Sequence, residues 1–88
     1  MIFISLWKNR QKLTKEMIAE SLKLGEIEKK EGIKYLGFYY TLGRYDYVAI
    51  FEAPDEKAAM KAAMRSGGIG PSETLVAVPA EEARKLVE

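Results

Sequence analysis

The chain alternates between runs that read in steps of two and runs that read in steps of three and four. Ile2 to Trp7 is a short β-like apolar run interrupted only by Ser5, with Lys8 to Gln11 as its polar exit. From Thr14 the period changes. Met17, Ile18, Leu22, Leu24 and Ile27 define a broad apolar face, and Lys15, Glu16, Lys23, Glu26 and Lys30 cover the opposite side. A helix is therefore predicted, capped by Thr14 with Leu13 as a hydrophobic staple and stopped by Gly32. Gly25 interrupts it at a cost of about 1 kcal/mol relative to Ala, which suits close approach to a neighbouring strand.

Period-two patterning returns after Gly32. The second strand is predicted from Lys34 to Leu42 and the third from Tyr45 or Asp46 to Glu52, joined by a hairpin at Leu42-Gly43-Arg44-Tyr45. Asp55 caps a second helix with Ala59, Met60, Ala63 and Met64 on one side and Lys57 and Lys61 on another. Gly67-Gly68-Ile69-Gly70-Pro71 is a turned connection, Glu73 to Val78 a fourth strand, and Pro79 starts a short helix ending near Leu86 or Val87. The order β-α-β-β-α-β plus a terminal helix predicts an α+β fold: the ferredoxin-like plan of four antiparallel strands with two helices on one face.

Two helices on one face leave the other to be polar in a monomer. In the third strand Asp46, Val48, Ile50 and Glu52 alternate with Tyr47, Ala49, Phe51 and Ala53, and both sets carry apolar residues. The second strand puts Leu36, Phe38, Tyr40 and Leu42 on one side and Tyr35, Gly37, Tyr39 and Thr41 on the other. Each face needs cover, and a second copy packed sheet to sheet supplies it. The expected assembly is a homodimer or a higher homo-oligomer.

Composition narrows the chemistry. At 88 residues the chain is one domain, and such a domain buries only roughly 60–65% of the surface its unfolded chain exposes. It has no cysteine and no histidine, which excludes disulfides, thiol chemistry, Cys or His metal sites and a histidine base. A formal charge of +1 with interspersed signs argues against a nucleic-acid or membrane surface. The opening MIFISLW lacks the flanks of a signal peptide and reads as a strand, so a soluble cytoplasmic protein is expected. High Lys and Glu content without cysteine also suits a thermophile.

The run Gly43-Arg44-Tyr45-Asp46 followed by Tyr47-Val48-Ala49-Ile50-Phe51-Glu52-Ala53-Pro54 resembles the signature of the GYD domain family. Trp7, the Tyr39-Tyr40-Thr41-Leu42 approach to the turn and the late Glu73-Thr74-Leu75 extend the resemblance over about the whole chain. It implies a dimeric α/β barrel built from ferredoxin-like protomers. That wider architecture includes monooxygenases, haem-dependent enzymes and small-molecule-sensing domains, so the resemblance implies a fold and no single activity.

Asp46 is a weak catalytic candidate, a carboxylate at the start of an apolar strand, although a short acid beside a glycine turn also pins a hairpin through backbone hydrogen bonds. Trp7, Tyr39, Tyr40, Tyr45 and Tyr47 are candidates to line a pocket for an apolar or aromatic ligand, and Glu52 to line one end of a cavity. Gly67-Gly68-Ile69-Gly70 lacks the Gly-Lys-Ser/Thr of a phosphate loop, and no serine has a histidine to activate it. No cofactor or metal is expected. The function expected is a noncatalytic, homodimeric small-molecule-binding or accessory protein. The alternative is a cofactor-independent enzyme, monooxygenase- or isomerase-like, acting on a small aromatic or quinone-like substrate.

Overall fold

A computed structural model describes residues 1–8, 14–65 and 71–88, with the side chains of Met17 and Ser21 outside that description. Along the chain run β1 (Ile2–Trp7), α1 (Lys15–Lys30), β2 (Lys34–Tyr40), β3 (Tyr47–Glu52), α2 (Glu56–Met64), β4 (Glu73–Ala77) and α3 (Ala80–Leu86). The strands form one sheet in the order β2-β3-β1-β4, with every neighbouring pair antiparallel. This is the ferredoxin-like α+β plan that the patterning predicts. The strand ends at Tyr40 and Ala77 fall slightly short of the predicted Leu42 and Val78. The expectations for Leu13, for the polar exit beyond Lys8, for the Gly67-Gly68-Ile69-Gly70 connection and for the Met17 side chain lie outside the described residues.

Local chemistry sets the element ends. Asp55 caps α2, its Oδ1 accepting from the Ala58 N–H at 2.8 Å. At the end of α1, the Gly32 N–H donates to the Lys29 carbonyl at 3.2 Å and the Ile33 N–H to the Glu28 carbonyl at 3.1 Å. Those two bonds form a Schellman cap, and Gly32 takes the left-handed φ of 87° that the cap requires. The cap turns Ile33 inward, where it is 2% exposed. In the hairpin Gly43 has φ 102°, and the Thr41 N–H donates to the Asp46 carbonyl at 2.8 Å to close the turn.

Phe3, Ile33, Phe51, Ala53 and Ala59 form the buried core between sheet and helices, with the Phe3 and Phe51 rings stacked at 5.5 Å. The alternation expected of β2 does not hold along its length. A bulge between Tyr35 and Gly37 shifts the register, so Tyr35 pairs with Phe51, Gly37 with Ile50, Phe38 with Ala49 and Tyr40 with Tyr47. The extra residue reverses the parity of everything after it. Tyr35 therefore joins Phe38 and Tyr40 on the helix side, while Tyr39 faces the other way. At Gly37 a Cβ would lie 2.7 Å from the exposed Tyr39 ring, so a larger residue there would shift that ring.

The side of the sheet away from the helices presents Ile4, Leu6, Val48, Ile50 and Leu75, all partly or largely exposed. The terminal helix α3 buries none of its residues. On α1 the apolar stripe is only partly used: Ile18 is half-buried, whereas Leu22 is 72% and Ile27 51% exposed. Gly25 does not bring α1 against a strand, because a Cβ there would meet nothing within 4 Å. It borders open space instead.

Candidate functional site

That open space is a cavity of about 390 Å³ between the helix layer and the sheet. Ile18, Leu22 and Gly25 border it from α1, and Ala59, Ala62 and Ala63 from α2. The alanines leave room that larger residues would fill, and α1 stands off the sheet opposite them. Interiors normally pack without such voids, so the gap marks a place that the described residues leave unfilled.

The sheet side is aromatic. Trp7 on β1 stacks on Tyr47 of β3 with ring centres 5.0 Å apart and planes 16° from parallel. Tyr47 in turn stacks on Phe38 of β2 at 5.2 Å and 21°. Tyr40 leans on both, 5.6 Å from Phe38 and 5.7 Å from Tyr47. This wall follows from register: Trp7 pairs with Tyr47, Tyr47 with Tyr40, and the bulge keeps Phe38 on the same face. Burial, with a smaller effect from Tyr40, pushes the Tyr47 phenol up to about 12, so it stays a neutral hydrogen-bonding group at ordinary pH.

The polar end of the cavity is Glu28. This carboxyl on α1 is only 5% exposed, and the Tyr35 hydroxyl donates to its Oε2. Burial raises its proton affinity above the ordinary glutamate range; the Tyr35 hydrogen bond and the charge of Arg65 pull the other way, and Glu31 adds to the rise. Tyr35 is raised strongly, first by burial and then by its bond to Glu28. Behind this pair Arg65 donates to Glu31, and the Lys61 Nζ lies 4.0 Å from the same Glu31 oxygen. Ser5 bonds across to Thr74 at 3.2 Å at the sheet side of the cavity.

The residues singled out from sequence divide between cavity and elsewhere. Trp7 and Tyr40 line it, as does Tyr47. Tyr39 lies on the opposite face, paired with Val48. Tyr45 sits in the hairpin, where its hydroxyl donates to Glu73 Oε2 at 3.0 Å, a bond that raises its proton affinity, and where the Lys8 ammonium stands 5.9 Å from its ring centre. Asp46 is in the turn: its N–H donates to the Trp7 carbonyl at 2.7 Å while its own carbonyl accepts from Thr41. Glu52 lies at the far end of β3, in register with Ile2 and Lys34. Asp46 and Glu52 are not among the residues bordering the cavity.

Glu28, Tyr35 and Phe38 are among the lining residues that sequence reasoning did not single out as site candidates. A signal for Glu28 existed. It continues the spacing of Ile18, Leu22 and Gly25, so it is a carboxylate set on the apolar stripe of an amphipathic helix. Among the described residues no group of three His, Cys, Asp or Glu side chains converges to hold a metal ion, and no helix is long and apolar enough to cross a membrane.

Comparison with known proteins agrees with this architecture. The family model described as GYD domain matches residues 7–87. Among solved structures, the crystal structure of SCO4226 from Streptomyces coelicolor A3(2) superposes with a TM-score of 0.67 over 90% of this chain and 96% of that one, at 16% identity. At that identity the likeness is one of fold. No curated protein matches the chain.

Proposed function

This chain belongs to the GYD domain family, and on that premise we propose that it is a homodimeric small-molecule-binding protein that takes a planar aromatic ligand between its helices and its sheet. The observation that carries the reading is the continuous stacked wall of Trp7, Tyr47 and Phe38 beside about 390 Å³ of unfilled space. Its volume lies in the range of small-molecule sites, and a predominantly apolar, aromatic lining with a few polar groups suits an apolar ring ligand. Dimerisation is supported by the apolar sheet face of Ile4, Val48, Ile50 and Leu75, which the described residues of the protomer leave partly exposed. Trp7 is the single tryptophan, so its fluorescence reports on the cavity wall directly. Titration with naphthoquinones and other flat aromatics is expected to quench Trp7 saturably, with aliphatic compounds of equal size inactive. Equal, non-saturating responses to both classes would reject the reading.

One observation favours a second reading, an enzyme without a cofactor. Glu28 is a buried carboxyl with raised proton affinity, hydrogen-bonded to a phenol at the edge of an apolar cavity, and such a group suits proton transfer. Turnover of a bound aromatic that vanishes in Glu28→Gln while binding persists would select this reading.

A further inference from the structure

We propose that Glu28 and Tyr35 form a polar anchor that selects uncharged planar aromatics bearing a hydroxyl, the ligand O–H donating to the Glu28 carboxylate. The inference rests on the cavity being a ligand site, as proposed above, and adds the chemical class that the site prefers. Among the described residues lining the cavity, Glu28 is the one carboxylate, and Tyr35 lines it too.

A buried carboxylate is stable only when donors replace its lost water. Carboxylate oxygens have about four acceptor positions, and the Tyr35 hydroxyl fills one of them. The nearby cation acts on Glu28 through its charge: Arg65 donates through Nη2 to Glu31, and its buried Nη1 has no hydrogen-bond partner among the described residues. A donor entering from the cavity therefore meets an acceptor already held in place by Tyr35 and by the helix that carries it. The hydroxyl of a phenol or naphthol fits, because its ring can lie along the Trp7–Tyr47–Phe38 wall while its oxygen reaches the polar end. An aromatic ammonium fits less well. It would approach the Arg65 guanidinium, whose positive charge already acts on Glu28.

The test is calorimetric titration of the full chain with β-naphthol, its methyl ether and naphthylmethylamine, in wild type, Glu28→Met and Tyr35→Phe. In wild type, β-naphthol should bind about ten-fold more tightly than the ether, the size expected when a hydrogen bond to a charged group is made or lost. In Glu28→Met the two should come within about two-fold, with the affinity of the ether retained, since methionine keeps the volume and removes the acceptor. Tyr35→Phe should keep the preference for the hydroxyl, because Glu28 remains; this variant separates an anchor from a mere structural pair. Equal affinities in wild type, a preference that survives Glu28→Met, or tightest binding by the amine would each overturn the anchor while leaving the cavity as a ligand site. Failure of every compound to bind wild type would overturn the cavity reading and the anchor with it.

Discussion

Tyr35 and Glu28, seven positions apart, meet because the Schellman cap at Gly32 reverses the chain between them and sends β2 back along α1. The same cap buries Ile33, and the bulge immediately after Tyr35 then returns Phe38 and Tyr40 to the same face. One glycine and one extra strand residue thus assemble the polar end and part of the aromatic wall.

The burial of Glu28 has a consequence for stability. Its proton affinity is raised in the folded protein, so between the ordinary glutamate pKa and the higher folded value the native state holds a proton that the unfolded chain has released. The stability tied to this proton is fully present below the ordinary glutamate pKa of 4.5 and is lost as pH rises through the higher folded value. Tyr35, Arg65 and Glu31 are the charged or titrating groups acting on it. Glu28→Gln removes this term. Urea unfolding across pH 4 to 8 should therefore show the variant gaining on wild type as pH rises; a difference that is flat or shrinks with pH would contradict the assignment.

Two glycines of this region should respond oppositely to the same substitution. Gly32→Ala forces a Cβ into the left-handed region and to within 2.9 Å of Pro54 Cγ, and should cost about 1–2 kcal/mol or more. Gly25→Ala adds a Cβ that meets nothing within 4 Å in mid-helix, and should add about 1 kcal/mol. Thermal unfolding of both variants checks the pair, each 1 kcal/mol corresponding to about 4–8 °C in Tm for a domain of this size.

The tyrosines should titrate unequally. Tyr47 is pushed up to about 12 and Tyr35 is raised strongly as well, both chiefly by burial. In an alkaline absorbance titration both should ionise late, with Tyr35→Phe and Tyr47→Phe each removing a late component. The stability held by their neutral forms is complete below the ordinary value of 10.0 and is lost as pH rises through the folded values, so base should unfold the protein within that window.

The uncovered sheet face yields a test of assembly. Ile50 sits on β3 between Gly37 and Ile4 in register, at the middle of the apolar surface. Ile50→Lys should lower the sedimentation mass from dimer to monomer without loss of secondary structure. Charge there would be tolerated, and the mass unchanged, if this face were not the interface.

Much of the fold was legible because it is punctuated by residues with one local meaning. Asp55 caps, Gly32 stops, Gly43 turns and Pro79 restarts, and the period-two pattern of β3 separates its two faces as the structure has them. The site was half legible. Trp7, Tyr40 and Tyr47 stood out as aromatic residues, and the structure places them on one wall. The bulge at Leu36 was invisible to strict alternation, which is why Tyr39 was grouped with Tyr35 although the two point to opposite faces. Glu28 was hidden for another reason. A glutamate near the end of a helix reads as solvated, and its burial arises from the approach of β2 and α2, contacts that no local pattern records.

The central claim is that the space between α1 and the Trp7–Tyr47–Phe38 wall holds a flat aromatic ligand. A crystal structure of the protein with a bound naphthol tests it most directly. The account predicts the ligand inside each protomer, its ring along that wall and its oxygen within hydrogen-bonding distance of Glu28. A cavity closed by the protein's own side chains, or a ligand bound only at the open sheet face, would contradict it.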